Sequence, residues 1–199
     1  MLNKIEDVSK TENELIKKAK EGDHESFEIL ILSCKEKAYN VAFRFMQNEE
    51  DALDSLQESF IKIYRHLSKF NEQSRFDTWV YRIVVNTCKD MLRKNKQRMS
   101  YLYDAPYKNE NDEDIYLEIP DKAPGPEALL ESKTERDHML SCLDKLNMEH
   151  KETLILRDVR GLSYDEISDV LECSIGTVKS KISRARQKFK EVYLAMEQN

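Results

Sequence analysis

Apolar residues recur at steps of three and four along most of the chain, the spacing of one face of an α-helix. Leu15 and Ala19, then Phe27, Leu30 and Ile31, mark two amphipathic segments separated at Glu21-Gly22-Asp23. A long helix is predicted through Cys34, Ala38, Val41, Ala42 and Phe45. After Asn48-Glu49-Glu50, another helix carries Leu53, Leu56, Phe60, Ile63, Tyr64 and Leu67. An interruption from Ser68 to Ser74 leads into a helix from about Asp77 to Arg93. Val80, Val84, Thr87 and Met91 form its buried stripe.

The pattern stops between about residues 99 and 126, a stretch too long for an ordinary loop of a compact domain. All four prolines of the chain (Pro106, Pro120, Pro124, Pro126) fall there. Helical spacing resumes near Glu127. Leu140, Leu143 and Leu146 close one segment, Asn147 to Glu149 read as a cap, and Leu154, Ile155 and Leu156 belong to the next helix. Gly161 ends that helix, as glycine just past a helix commonly does. Ser163-Tyr164-Asp165-Glu166 matches a capping box, with Ser163 bonding forward and Glu166 reaching back. Ile167, Val170 and Leu171 supply the buried face. A short turn, Glu172-Cys173-Ser174, opens a last helix from about Ile175 to Met196. The expected fold is all-α: two small helical domains, residues 1–98 and 127–199, joined by a flexible acidic linker at 99–126. The linker composition permits both a compact and an open arrangement of the two.

Charge changes the picture. The 199 residues include 32 Lys or Arg and 38 Asp or Glu, a net charge of −6 that by itself argues against a nucleic-acid partner. Local charge reverses that reading. Residues 89–98 hold five cations and one acid, and residues 179–190 hold six cations and no acid. Between them, Asp104 to Asp121 carry seven acids against Lys108, so two basic patches flank an acidic strip.

No apolar run approaches the ~20 residues of a membrane span, and the N-terminus lacks the apolar stretch of a secretion signal. Four cysteines lie far apart with no C-x-x-C pair, which suits reduced thiols. A cytoplasmic protein is expected. The sequence has no phosphate-cradling glycine loop, no H-E-x-x-H and no nucleophile with a local base. No enzyme activity, cofactor or small-molecule substrate is therefore expected. His138 and Cys142, four apart, supply only two metal ligands, so no metal site is expected either.

Two short helices across a tight turn, the second basic, form the helix-turn-helix pattern. At ~100° per residue, the last helix puts Ile175, Val178, Ile182, Ala185 and Phe189 on one face. Ser180, Ser183, Arg184 and Gln187 fall opposite, with Lys179, Lys181, Arg186 and Lys188 on the shoulders. Short hydroxyls and one arginine can reach base edges in a major groove while the flanking cations meet phosphates.

Leu143-Asp144-Lys145-Leu146, Leu162-Ser163-Tyr164-Asp165-Glu166-Ile167 and the string from Gly176 to Arg186 resemble region 4 of bacterial sigma factors. The resemblance is closest to the extracytoplasmic-function (ECF) group of the sigma-70 family. Independently, Asp51 to Phe60 is similar to the region 2 helix that binds core RNA polymerase. Phe76 to Asn86 is similar to the helix that engages the −10 element. The resemblance runs from about Glu12 to Tyr193.

It implies that Asp54, Gln57 and Glu58 meet the polymerase largest subunit. It also implies that the loop Phe70 to Phe76 accepts a base extruded from the −10 strand, with Asn71, Ser74 and Arg75 as its polar groups. Arg82, Asn86, Lys89 and Arg93 would follow along the next helix. Phe76, Trp79 and Tyr81 stay open between stacking on bases and packing in the core. The −35 element falls to Lys179, Ser180, Lys181, Ser183, Arg184, Arg186 and Lys188.

The partners implied are core RNA polymerase, through its largest and second-largest subunits, promoter DNA, and an anti-sigma factor. Such a factor, often membrane-anchored, would hold the protein until a stress signal arrives. Departures from the family pattern are few. Leu53 replaces a common acid and Ser55 a common apolar residue. Lys181 stands where arginine is frequent, which favours a phosphate contact over a bidentate base contact. Asn147 stands where proline is frequent, which predicts a weaker helix start. The alternative is a conventional helix-turn-helix regulator that acts without polymerase. Asp54-x-x-Gln57-Glu58 together with Thr78-Trp79-x-Tyr81-Arg82 argues against it, because a regulator has no reason to carry both.

Overall fold

The computed structural model describes residues 2–102 and 138–197. Regular structure among them is helical, with no strand. Helix α1 (Leu2–Lys20) ends at Glu21-Gly22, where Gly22 takes a φ of 99° that a side chain would resist. Asp23 then starts α2 (His24–Met46) by accepting from the Ser26 N–H at 3.1 Å. Asn48 caps α3 (Glu49–His66) through the Asp51 N–H, and Glu49, Glu50 and Asp51 crowd its positive dipole end. A 3-10 turn, Leu67–Lys69, and the loop at 70–75 lead into α4 (Phe76–Leu102).

Helix α4 continues past residue 98, where the apolar pattern placed the start of the linker. Residues 94–102 contain neither glycine nor proline, so an established helix propagates at little cost beyond its buried stripe. The rest of the 99–126 segment lies outside the described residues.

In the C-terminal part, residues 138–144 are helical (α5). Asn147 accepts from the His150 N–H at 2.9 Å and caps α6 (Met148–Leu154). The helix start expected to be weak is thus secured, since asparagine is among the best N-caps. Helix α6 widens into a π-helical turn, Ile155–Val159, and Gly161 follows with a φ of 69°. Then come α7 (Tyr164–Leu171) and α8 (Ile175–Glu197).

Helix α2 packs against α1, α3 and α4. Its buried residues Cys34, Ala38, Val41, Ala42 and Phe45 meet Ala52, Leu56 and Ile63 of α3 and Val80 and Val84 of α4 in one apolar cluster. Tyr81, Val85 and Cys88 are buried as well, beyond the single stripe expected for α4. The reason is tertiary: α4 is covered by α2 and α3 and also by α7. Ile155, Leu156, Leu162, Ile167, Val170, Val178 and Ile182 belong to the same cluster, so the two domains share a core. A smaller cluster of Leu143, Leu146, Leu154 and Ala185 ties α5 and α6 to α8. Of the two arrangements the composition allows, the chain adopts the compact one.

Candidate polymerase and promoter surfaces

Helix α3 turns Ala52, Ser55, Leu56, Ser59 and Ile63 inward. The buried hydroxyls are satisfied one turn back: Ser55 donates to the Ala52 carbonyl at 2.9 Å and Ser59 to the Ser55 carbonyl at 2.6 Å. This explains how Ser55 replaces an apolar residue without leaving a polar group unpaired. Asp54 and Gln57 project outward and are exposed. Glu58 is turned aside, paired with Lys62 at 2.9 Å, and Lys62 also donates to Thr87 of α4 at 3.2 Å. Beside Asp54 lies an open apolar groove of about 360 Å³ lined by Leu32, Lys35, Glu36, Tyr39, Leu53 and Leu56. Leu32 and Leu53 are 59% and 48% exposed. The sequence reading did not assign this groove. Its signal was the run Ile29-Leu30-Ile31-Leu32, too long for one buried helix face, next to a leucine where an acid is common.

The loop at 70–75 rests on an aromatic floor. Phe70, Phe76 and Trp79 pack with ring centroids 5.1 to 5.9 Å apart. Phe70 and Phe76 are buried and Trp79 is half-buried, so packing accounts for all three. Lys20, at the end of α1, pairs with Glu72 at 2.8 Å and sits 5.5 Å over the Phe70 ring. Glu72 holds a left-handed φ of 61°, and the Asn71 side chain accepts from the Gln73 N–H at 3.3 Å. Asn71 and Arg75 are exposed and Ser74 half-buried on this shaped turn.

Along α4, Asn86 and Arg93 are exposed, Arg93 pairing with Asp90 at 2.9 Å. The other two nominated residues face the C-terminal domain. Arg82 meets Glu172 at 3.4 Å and Lys89 meets Glu152 at 2.7 Å. Tyr81 is buried, and its hydroxyl accepts from Arg160 at 2.7 Å, so core packing accounts for it too.

The helix-turn-helix is built by local bonds. Ser163 and Glu166 form the reciprocal capping box of α7, at 3.2 and 2.8 Å. Glu172 ends α7 with a left-handed φ of 52°, and the Ser168 hydroxyl donates to the Cys173 carbonyl at 2.5 Å to close the turn. Ser174 accepts from the Thr177 N–H at 3.2 Å, which caps α8. Val178, Ile182 and Ala185 are buried as the helical wheel requires, whereas Ile175 at the first position remains 40% exposed.

Lys179, Ser180, Ser183 and Arg184 share the outer face. Three shoulder cations are paired: Lys181 with Glu149 at 2.5 Å and Arg186 with Asp158, both on preceding elements, and Lys188 with Glu191 at 3.2 Å one turn along α8 itself. The Lys181 bond holds the Glu149 carboxyl below its usual range. His138 packs edge-on against Tyr193, and Cys142 lies against the Met196 sulfur. Among the described residues, no cluster of three or more His, Cys, Asp or Glu could hold a metal ion. No described helix is long and apolar enough to cross a membrane.

Comparison with known proteins matches both halves. The model of Sigma-70 region 2 covers residues 30–98, and that of Sigma-70 region 4 covers residues 136–189. The chain is 32% identical over 185 residues to the RNA polymerase sigma-H factor of Pseudomonas aeruginosa, spanning 88% of this chain and 90% of that protein. It is 34% identical over 179 residues to the ECF RNA polymerase sigma-E factor of Escherichia coli K12, spanning 89% and 91%.

Two solved structures share the fold. CnrH, in complex with the cytosolic domain of CnrY, gives a TM-score of 0.66 at 22% identity over 93% of this chain and 98% of that one. The sigma factor RpoE of Bartonella quintana, solved with the anti-sigma factor NepR, gives 0.61 at 23% identity over 83% and 95%. A polymerase-independent regulator has no use for the region 2 half, which is matched here alongside region 4. On both domains and on relatives aligned over most of their length, the chain belongs to the extracytoplasmic-function sigma factors of the sigma-70 family.

Proposed function

We propose that three surfaces of this sigma factor divide promoter-specific initiation between them. The outer face of α3, with Asp54 and Gln57 beside the Leu32–Leu53 groove, meets core RNA polymerase; Glu58 supports that face through Lys62. The loop at 70–75 receives a base extruded from the −10 strand, and Arg82, Asn86, Lys89 and Arg93 of α4 track the strand that follows. Unpairing a base costs a few kcal/mol, which contacts by Asn71, Ser74 and Arg75 must offset. On α8, Lys179, Ser180, Ser183 and Arg184 read the −35 element, and Lys181, Arg186 and Lys188 lie close enough to meet phosphates. Bond-forming chemistry resides in the polymerase; this chain supplies recognition in the cytoplasm. An anti-sigma factor would act by covering these surfaces.

The observation that carries the reading is α8. A stretch with six cations and no acid, seated behind a capped helix-turn-helix, presents its hydroxyls and Arg184 outward. In an acidic chain that concentration of charge suits a groove lined by phosphates. The test is transcription in a purified system containing this protein, E. coli core polymerase and a pool of genomic promoter fragments. Defined starts that need both proteins are expected, and their aligned upstream sequences would give the −10 and −35 elements. Sequence-specific DNA retention without polymerase, and no initiation with it, would return the protein to the regulator class.

A further inference from the structure

Helix α1 lies ahead of the region 2 match, which begins at residue 30, yet it reaches the loop at 70–75. Glu12, Ile16 and Lys20 recur every four residues and so share one face of α1. Ile16 and Ala19 are buried in the cluster that also holds Phe70 and Phe76. That burial fixes α1 against the 3-10 turn at 67–69, where the loop begins. The polar residues of the same face then meet the loop. Lys20 pairs with Glu72 at 2.8 Å and stands 5.5 Å from the centre of the Phe70 ring. Glu12, two turns back, is half-buried in the field of Asp77 and Arg75.

Glu72 needs such a partner. Its φ of 61° is left-handed, a conformation that a residue with a side chain keeps only where its surroundings hold it. An exposed ion pair by itself contributes little. Lys20 differs in being only 24% exposed, in facing both a carboxylate and a ring, and in ending a helix whose dipole favours a cation there. We infer that Lys20 is a positioning residue for −10 base capture: by tying Glu72 to the end of α1, it sets the turn at 71–73 and the placing of Asn71, Ser74 and Arg75. This rests on the assignment of the loop to the extruded base made above. Lys20 acts through Glu72 and not on DNA. A loop ordered in the folded protein has less freedom to lose when a base arrives.

The test uses the full chain with core polymerase and a promoter recovered by the transcription experiment above. The promoter carries 2-aminopurine in turn at each non-template −10 position, and fluorescence rises as that base leaves the stack. Lys20→Met keeps the apolar stem and removes the charge, and Glu72→Gln removes the other partner. Each should slow the rise at the captured position at least about fivefold, with the urea midpoint of the free protein unchanged. The double variant should match either single one within about twofold, because all three break the same contact. Lys17→Met, exposed on the same turn of α1, makes the same charge change as Lys20→Met and should stay within about twofold of wild type. The sign for Glu72→Gln is decisive. Removing a carboxylate from a loop that meets DNA would speed capture by charge alone, so a gain there, or no change, would overturn the inference. Losses that multiply in the double variant would overturn it too, by giving Lys20 a DNA contact of its own. So would a loss shared with Lys17→Met, or one that tracks a fall in the urea midpoint. If no position brightens with the wild type while initiation proceeds, the assignment of the loop to an extruded base fails instead.

Discussion

Arg184 is held by its own helix: its Nε donates to the Ser180 carbonyl and its Nη2 to the Ser180 hydroxyl, both at 3.3 Å, while Ser180 donates to the Thr177 carbonyl at 2.8 Å. An exposed guanidinium steadied one turn back is a reading group with reduced freedom to lose. Arg184→Ala should change stability by less than about 0.5 kcal/mol but remove about 1–3 kcal/mol of discrimination at one −35 base pair. Transcription from promoters varied through the −35 element checks this, and unchanged selectivity would take Arg184 out of base reading. The cysteines behave in the opposite way, as core residues. Burial pushes the Cys34 thiol up to about 12 and the Cys88 thiol up to about 11, and raises Cys142 as well. Cys173 is only half-buried. Since the thiolate is the nucleophile, iodoacetamide at pH 8 should label Cys173 well before the other three. Peptide mass spectrometry of a native sample reads this, and early labelling of Cys34 would show that the α2 core opens.

At the scale of elements, the caps set where helices begin and the packing decides which faces remain outside. Ser163→Ala breaks the capping box of α7 and should lower stability by about 1 kcal/mol, read as a shift of the urea midpoint. A shift no larger than that of an exposed control such as Gln187→Ala would show that packing alone fixes α7. On α3, Asp54→Ala combined with Gln57→Ala should weaken binding to core polymerase with the melting temperature retained, because both side chains are exposed and make no hydrogen bond among the described residues. Pull-down with core enzyme checks it, and undiminished recovery would move the polymerase contact elsewhere, the Leu32–Leu53 groove being the nearest candidate.

For the whole molecule, the shared core has a thermodynamic consequence. Buried Leu, Ile and Val side chains contribute about 1.5–3 kcal/mol each, and Ile155, Leu156, Ile167 and Val170 are buried in the cluster that also holds α2 and α4. Separating the domains exposes part of that surface, so the two halves should unfold together. Urea curves followed by fluorescence of Trp79, in the N-terminal domain, and by a dye on Cys173, in the C-terminal domain, should coincide. Two separate midpoints would mean that the domains dock without stabilising each other.

Periodicity and capping chemistry in the sequence determined the helices, because each is a local property. Asp23, Asn48 and Ser163 start helices with their own side chains, and Gly22 and Gly161 end them with their own backbones. The helix-turn-helix and the outer face of α8 were legible for the same reason. Local signals stopped short at the end of the N-terminal domain. The end of α4 ran past its apolar stripe, because no breaker opposed it. The Asn147 cap was itself legible; only the weakness expected of it for want of a proline was not found. Tertiary structure alone decided which cations are available. Arg82, Lys89, Lys181 and Arg186 look alike along the chain, yet each is bound to a carboxylate 28 to 90 residues away. A one-dimensional pattern shows that a residue is charged and which helix face it occupies. What covers that face depends on how two domains share a core, and that is fixed only when the whole chain folds.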